Sequence, residues 1–93
     1  MVVHKYRVGL TDLFAVEMPR GAQILDVQVQ HGTPQMWALV DPEAPVERRQ
    51  FRLAGTGHRV EMYGDQQPKH VGTFQLDGGA LVFHLFEIVE ATD

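Results

Sequence analysis

The sequence contains neither cysteine nor serine. The first absence excludes disulfides, thiolate metal sites and a cysteine nucleophile, and the second excludes a serine nucleophile. No apolar run approaches the roughly 20 residues that cross a bilayer as a helix, so no membrane partner is expected. Met1 to Gly9 also carries polar side chains where a signal peptide needs a continuous apolar core. The expected compartment is the cytoplasm. A basic surplus is missing as well: the formal net charge is -4, and the cationic residues are scattered apart from Arg48, Arg49 and Arg52. Affinity for phosphate backbones needs a basic footprint, so nucleic acid is not an expected partner.

What is present fits a single globular β domain over residues 1–93, with 44% hydrophobic and 22% charged residues. A β domain of this size without disulfide or metal staples gains from burying further surface, so a homo-oligomer is expected. Helical periodicity of useful length is absent. Short runs of alternating polarity, separated by Gly, Pro and Asp, repeat from end to end. The runs are Val2 to Val8, Leu13 to Met18, Gln23 to Gln30, Met36 to Val40, Glu47 to Ala54, Val71 to Leu76 and Ala80 to Val89.

The first run mixes polar and apolar residues on both faces and reads as an outer strand. In the third, Leu25, Val27 and Val29 oppose Asp26, Gln28 and Gln30. The nearly unbroken apolar run Met36 to Val40 suits a strand covered on both faces, with Trp37 anchoring the core and the third and fourth runs forming a central hairpin. Arg49, Phe51 and Leu53 share one side of the fifth run, with Arg48, Gln50 and Arg52 on the other. Asp77, Gly78 and Gly79 mark a hairpin turn. The last run, the most apolar, is expected in the middle of a sheet. Gly55 to Lys69 reads as a long irregular loop, in which one short helix at most fits residues 58–67. The expected fold is all-β, an antiparallel sandwich or partly open barrel of about seven strands.

The sharpest local feature is Gly55-Thr56-Gly57-His58-Arg59, just after a strand. Its glycines let the backbone curl, and Thr56, His58 and Arg59 supply donors for an anion. It lacks the spacing and lysine of a P-loop, and the competing reading is a tight turn whose glycines serve backbone geometry alone. The cluster of Arg48, Arg49 and Arg52 offers forked donors to a carboxylate or phosphate, Arg48 and Arg52 sharing a strand face, with Glu43 and Glu47 near enough in sequence to neutralise it, so that a solvated, ion-paired strand face is the competing reading. The candidate ligand-binding set is therefore Thr56, His58, Arg59, Arg48 and Arg52.

The histidines at 4, 31, 58, 70 and 84 show no HExxH spacing, and neither a metal site nor a cofactor is expected. His84 reads as a partly buried, hydrogen-bonded side chain and His31 as an exposed turn residue. Asp77 is expected to cap its own backbone. No histidine and acid form a recognisable catalytic pair. A small enzyme would draw on His58, His70 and Asp77.

WALVDP at residues 37–42, GTGH at 55–58 and GTFQLDGGALVFHLFE at 72–87 resemble a family of small bacteriophage and prophage proteins. The resemblance covers most of the chain and implies expression in a bacterial host cytoplasm during infection or from a prophage. It assigns no activity, cofactor or catalytic residue. The reading that results is a noncatalytic phage or prophage accessory protein binding a small anionic ligand or a host protein. The alternatives are a structural protein acting through homo-oligomerisation and a small enzyme with a site near His58.

Overall fold

The computed structural model describes residues 1–90. It contains β1 (Val2–Arg7), β2 (Leu13–Pro19), β3 (Gln23–Gln30), β4 (Thr33–Val40), β5 (Val46–Gly55), β6 (Gln66–Leu76) and β7 (Leu81–Glu90), with a single 3-10 turn at Asp77–Gly79. All pairings are antiparallel. One sheet has the order β1-β4-β3 and the other β2-β5-β7-β6. Packed face to face they make the all-β sandwich that the alternation of polarity calls for.

The core is built from residues of matching parity on the facing strands. Met36, Ala38 and Val40 of β4 are fully buried, as are Phe51 of β5 and Leu85 of β7, with Val27, Met18, Leu53 and Phe74 around them. Phe14 stacks on Phe51 at 5.4 Å between centroids. The sheets come closest where β3 meets β6. Both strands carry an irregularity there, between Ile24 and Asp26 and between His70 and Gly72. A bulge bends a strand and increases its twist, which lets two sheet edges turn toward each other. Gly72 makes the approach possible, since a Cβ on it would lie 2.6 Å from Val27 Cγ1.

The core also holds a charge pair. Arg49 and Glu87 are on the inward faces of adjacent strands, and the guanidinium is bidentate: Nε donates to Oε2 at 2.6 Å and a terminal nitrogen to Oε1 at 2.9 Å. The other terminal nitrogen donates to the Ala22 carbonyl. The hydrogen bonds to Glu87 raise the Arg49 pKa against the opposing effect of burial, with the charges of Glu87 and Glu47 adding to the rise. The pair is thus a charged, fully hydrogen-bonded clamp tying β5, β7 and the start of β3 together.

Several expectations need correcting. Trp37 and Leu39 lie on the outer face of β4 and are half-buried, so that strand is covered on one face and Trp37 is not the core anchor. The bulge rotates Leu25 out to 48% exposure, and Ile24 packs against the core in its place. β4 begins at Thr33, with Pro34 inside it; β6 begins at Gln66, five residues before the expected Val71. No helix forms within residues 58–67. At the Asp77 turn the Ala80 N–H bonds the Asp77 carbonyl, and no side-chain cap is made. β1 is an edge strand and β7 a central one, as the polarity patterns require. Of the expected 1–93 domain, residues 91–93 lie outside those described. No described helix is long and apolar enough to cross a membrane.

Candidate functional site

β5 and β6 run in the same direction with β7 between them, so the chain must travel back along the outside of the sheet from Gly55 to Gln66. This crossover turns sharply at its start. The His58 N–H donates to the Gly55 carbonyl at 3.0 Å, and Gly57 takes a φ of 89°, a left-handed value that suits glycine. Thr56 N–H bonds the Val82 carbonyl, pinning the turn to β7. Further along, Tyr63 lies over Arg52 at 5.8 Å from ring centroid to Cζ.

Between the crossover and β5 lies a cleft of about 110 Å³ lined by Asp12, Arg52, Leu53, Ala54, His58, Arg59 and Glu61. The structure therefore brings Arg52, His58 and Arg59 together. Arg52 Nε is buried and finds no hydrogen-bond partner among the described residues. Asp12 and Glu61, which sequence reasoning did not single out, offset the two guanidinium charges.

His58 also lines a wider, shallower depression of about 500 Å³ with Gly55, Thr56, Leu81, Val82 and Phe83. Beside it a chain of polar side chains crosses the outer face. Thr56 Oγ1 is 2.7 Å from His84 Nε2, His84 Nδ1 is 3.0 Å from Thr73 Oγ1, and Thr73 Oγ1 is 3.4 Å from His70 Nε2. His84 is half-buried and held by hydroxyls on both ring nitrogens, in agreement with its reading as a hydrogen-bonded side chain. The geometry can order protons along a line. Among the described residues no carboxylate is hydrogen-bonded to His84, the contact that would orient and charge-stabilise it as a strong general base.

Arg48 does not join this site. It faces the same way as Arg52 but four residues along the strand, about 13 Å away at strand rise, opposite Glu17 of β2. Arg48 is therefore not among the residues lining the cleft that holds Arg52. Arg49, the remaining member of the cluster, is engaged by Glu87 in the core, not by Glu43. Glu47 accepts the Gly21 N–H and acts on Arg49 through its charge alone. Asp77 lies in the hairpin turn and lines neither the cleft nor the depression. No group of three or more potential metal ligands occurs among the described residues.

Thr73 was also missed in the sequence. Its signal was present: counting outward from the Asp77–Gly79 turn, the pairing of Leu76 with Leu81 sets Thr73 opposite His84.

The fold and the clefts define a small β-sandwich with a polar outer-face site. The profile of the domain of unknown function DUF7352 matches residues 1–92, and the chain belongs to that family. No curated protein and no solved structure matches it.

Proposed function

We propose that this chain is a noncatalytic binding module that takes a small anionic ligand in the cleft of Arg52, His58 and Arg59, with Thr56 at its border. The observation that supports this most is the buried Arg52 Nε without an acceptor. A buried donor left unmatched costs about 1–3 kcal/mol, and an oxyanion is the acceptor that a guanidinium fork fits best. The cleft, at about 110 Å³, suits a phosphate, sulfate or carboxylate group. The neighbouring depression, with Leu81, Val82 and Phe83, offers the less polar remainder of such a ligand a place to lie. The setting we propose is that of a phage or prophage accessory protein in a bacterial host, the one the sequence resemblance implies.

Titration with inorganic phosphate, followed by backbone amide NMR, tests the site. Saturable shifts confined to residues 52–61, lost in Arg52→Met but kept in Arg48→Met, are the expected result. Shifts that never saturate, or that survive Arg52→Met, refute it.

A second reading, assembly through homo-oligomerisation, draws on a different observation: Leu10, Leu13 and Val46 are 57%, 50% and 65% exposed. Native mass spectrometry decides it. A defined oligomer dissociated by Leu13→Glu is the expected result, and a monomer at all concentrations refutes it.

A further inference from the structure

The sandwich has four edge strands, and they are not guarded alike. β3 and β6 carry bulges and lie against each other, and β6 also contains Pro68 and Lys69. β2 is mostly half-buried or buried and ends in Pro19. β1 has no bulge and no proline, and every residue in it except Tyr6 is exposed. Natural sheets blunt such edges with bulges, prolines, cover or charge, because a bare edge is a template for another strand; of these β1 carries only the charge of Lys5 and Arg7, which repels a like strand and not an acidic one.

The ladder identifies which groups are free. Val8 N–H donates to the Pro34 carbonyl at 3.1 Å, so Val8, Tyr6, His4 and Val2 form the hydrogen-bonded positions opposite β4, by the alternation of antiparallel pairing. The N–H and C=O groups of Val3, Lys5 and Arg7 consequently point away from the sheet, toward the open edge. Their side chains lie on the outer face beside Trp37, opposite which Lys5 is registered.

Charge then selects the occupant. Residues 1–11 contain Lys5 and Arg7 and no acid, although the whole chain has a net charge of -4. The one ion pair among the described residues is Arg49–Glu87, so Lys5 and Arg7 are without acidic partners; Lys5 donates only to Gln30 Oε1, at 2.8 Å. A second copy of β1 is disfavoured, since antiparallel self-pairing sets Lys5 opposite or diagonal to Lys5 or Arg7 of the copy. On the inward side, Val2 is 43% exposed, and Tyr6 is half-buried.

We infer that β1 is a docking edge for an extended acidic segment of a partner protein, added as a fourth strand to the β1-β4-β3 sheet. The segment alternates acids, which face Lys5 and Arg7 on the outer side, with apolar residues, which cover Val2 and Tyr6 on the inner side. Backbone bonds to Val3, Lys5 and Arg7 supply the adhesion and the two cations set the preference. This surface is on the sheet opposite the anion cleft and stands or falls independently of it.

The probe is a capped peptide of alternating valine and glutamate, about six residues long to match an edge strand of this length, with the valine and lysine version as control. Amide NMR of the full chain is expected to show saturable shifts at Val3, Lys5 and Arg7 with the glutamate peptide alone. Lys5→Glu with Arg7→Glu is expected to reverse the preference by at least ~10-fold in each direction, a swap that misfolding cannot produce. Lys5→Pro, which removes an outward N–H and leaves the β4 ladder intact, is expected to abolish binding at unchanged melting temperature. Shifts mapping elsewhere, equal binding of both peptides, no binding, or a homodimer dissociated by Lys5→Pro would each overturn the inference.

Discussion

Replacing Gly72 by alanine probes the closest approach of the two sheets. The added methyl would sit 2.6 Å from Val27 Cγ1 and 3.8 Å from Asp26 Oδ1. Real carbon contacts need a further ångström or so, and Val27 is 3% exposed and packed in the core, so it cannot swing away into solvent. Overpacking of this kind costs about 1–3 kcal/mol. Gly→Ala at an ordinary backbone conformation recovers about 0.4–1 kcal/mol by narrowing the unfolded ensemble. Steric cost wins, and Gly72→Ala is expected to destabilise by about 1–2 kcal/mol, or roughly 4–12 °C for a domain this small. Val27→Ala alone removes buried methyls and costs about 1–3 kcal/mol. In the double variant the new methyl occupies the space that Val27 Cγ1 leaves, so the two losses should be less than additive by about 1 kcal/mol or more. Urea unfolding of the four proteins measures the cycle. A neutral Gly72→Ala, or strict additivity, would refute the claim that β6 presses on β3 through this glycine.

Breaking the core ion pair by Arg49→Met or Glu87→Leu alone should cost about 3–5 kcal/mol, whereas the double replacement should recover most of that loss; equal losses in all three proteins would contradict it. Met36→Ala should cost about 2–5 kcal/mol, and Trp37→Ala distinctly less, since only the former faces the core; denaturation midpoints rank them. Glu90, hydrogen-bonded with Asp65 and repelled by its charge, has its pKa raised. A raised carboxyl pKa means that the folded state holds the proton longer, so this contribution is present in acid and is lost as pH rises through the folded-state value. Glu90→Gln should therefore gain on the parent in urea midpoint as pH rises from the ordinary glutamate range upward; a constant difference would refute the assignment.

Much of the fold was legible because period-two alternation and turn chemistry act locally. The Asp77–Gly79 turn marks the last hairpin, and Phe51 and Leu53 share one side of their strand, the side that faces the core. What misled was local apolarity without parity. Met36 to Val40 looks buried throughout, yet among the described residues no further layer packs on the outer face of the three-stranded sheet, and Trp37 is half-buried. The bulge at Leu25 was invisible for a related reason: it answers to β6, some forty-five residues later in the chain, as the register at Gly72 shows.

The candidate site divides along the same line. His58 and Arg59 lie in one turn and were found together, and Arg52 joins them because the crossover folds back over β5. Arg48 is near them in sequence but not in the cleft lining: on a strand each residue advances about 3.3 Å, and neighbours in a basic run part company. The buried pair was available to a stricter reading of the same parity. Arg49 stands in register with Phe51 and Leu53, and Glu87 with Phe83 and Leu85, so each is a charge on the core side of its strand. An isolated charge in that position would cost several kcal/mol, so each calls for a partner of opposite sign close by, and Arg49 and Glu87 meet across the β5–β7 pairing. Two charges of opposite sign on core-facing positions thus carried a hint that the strands bearing them lie near each other, which the apolar residues around them do not give.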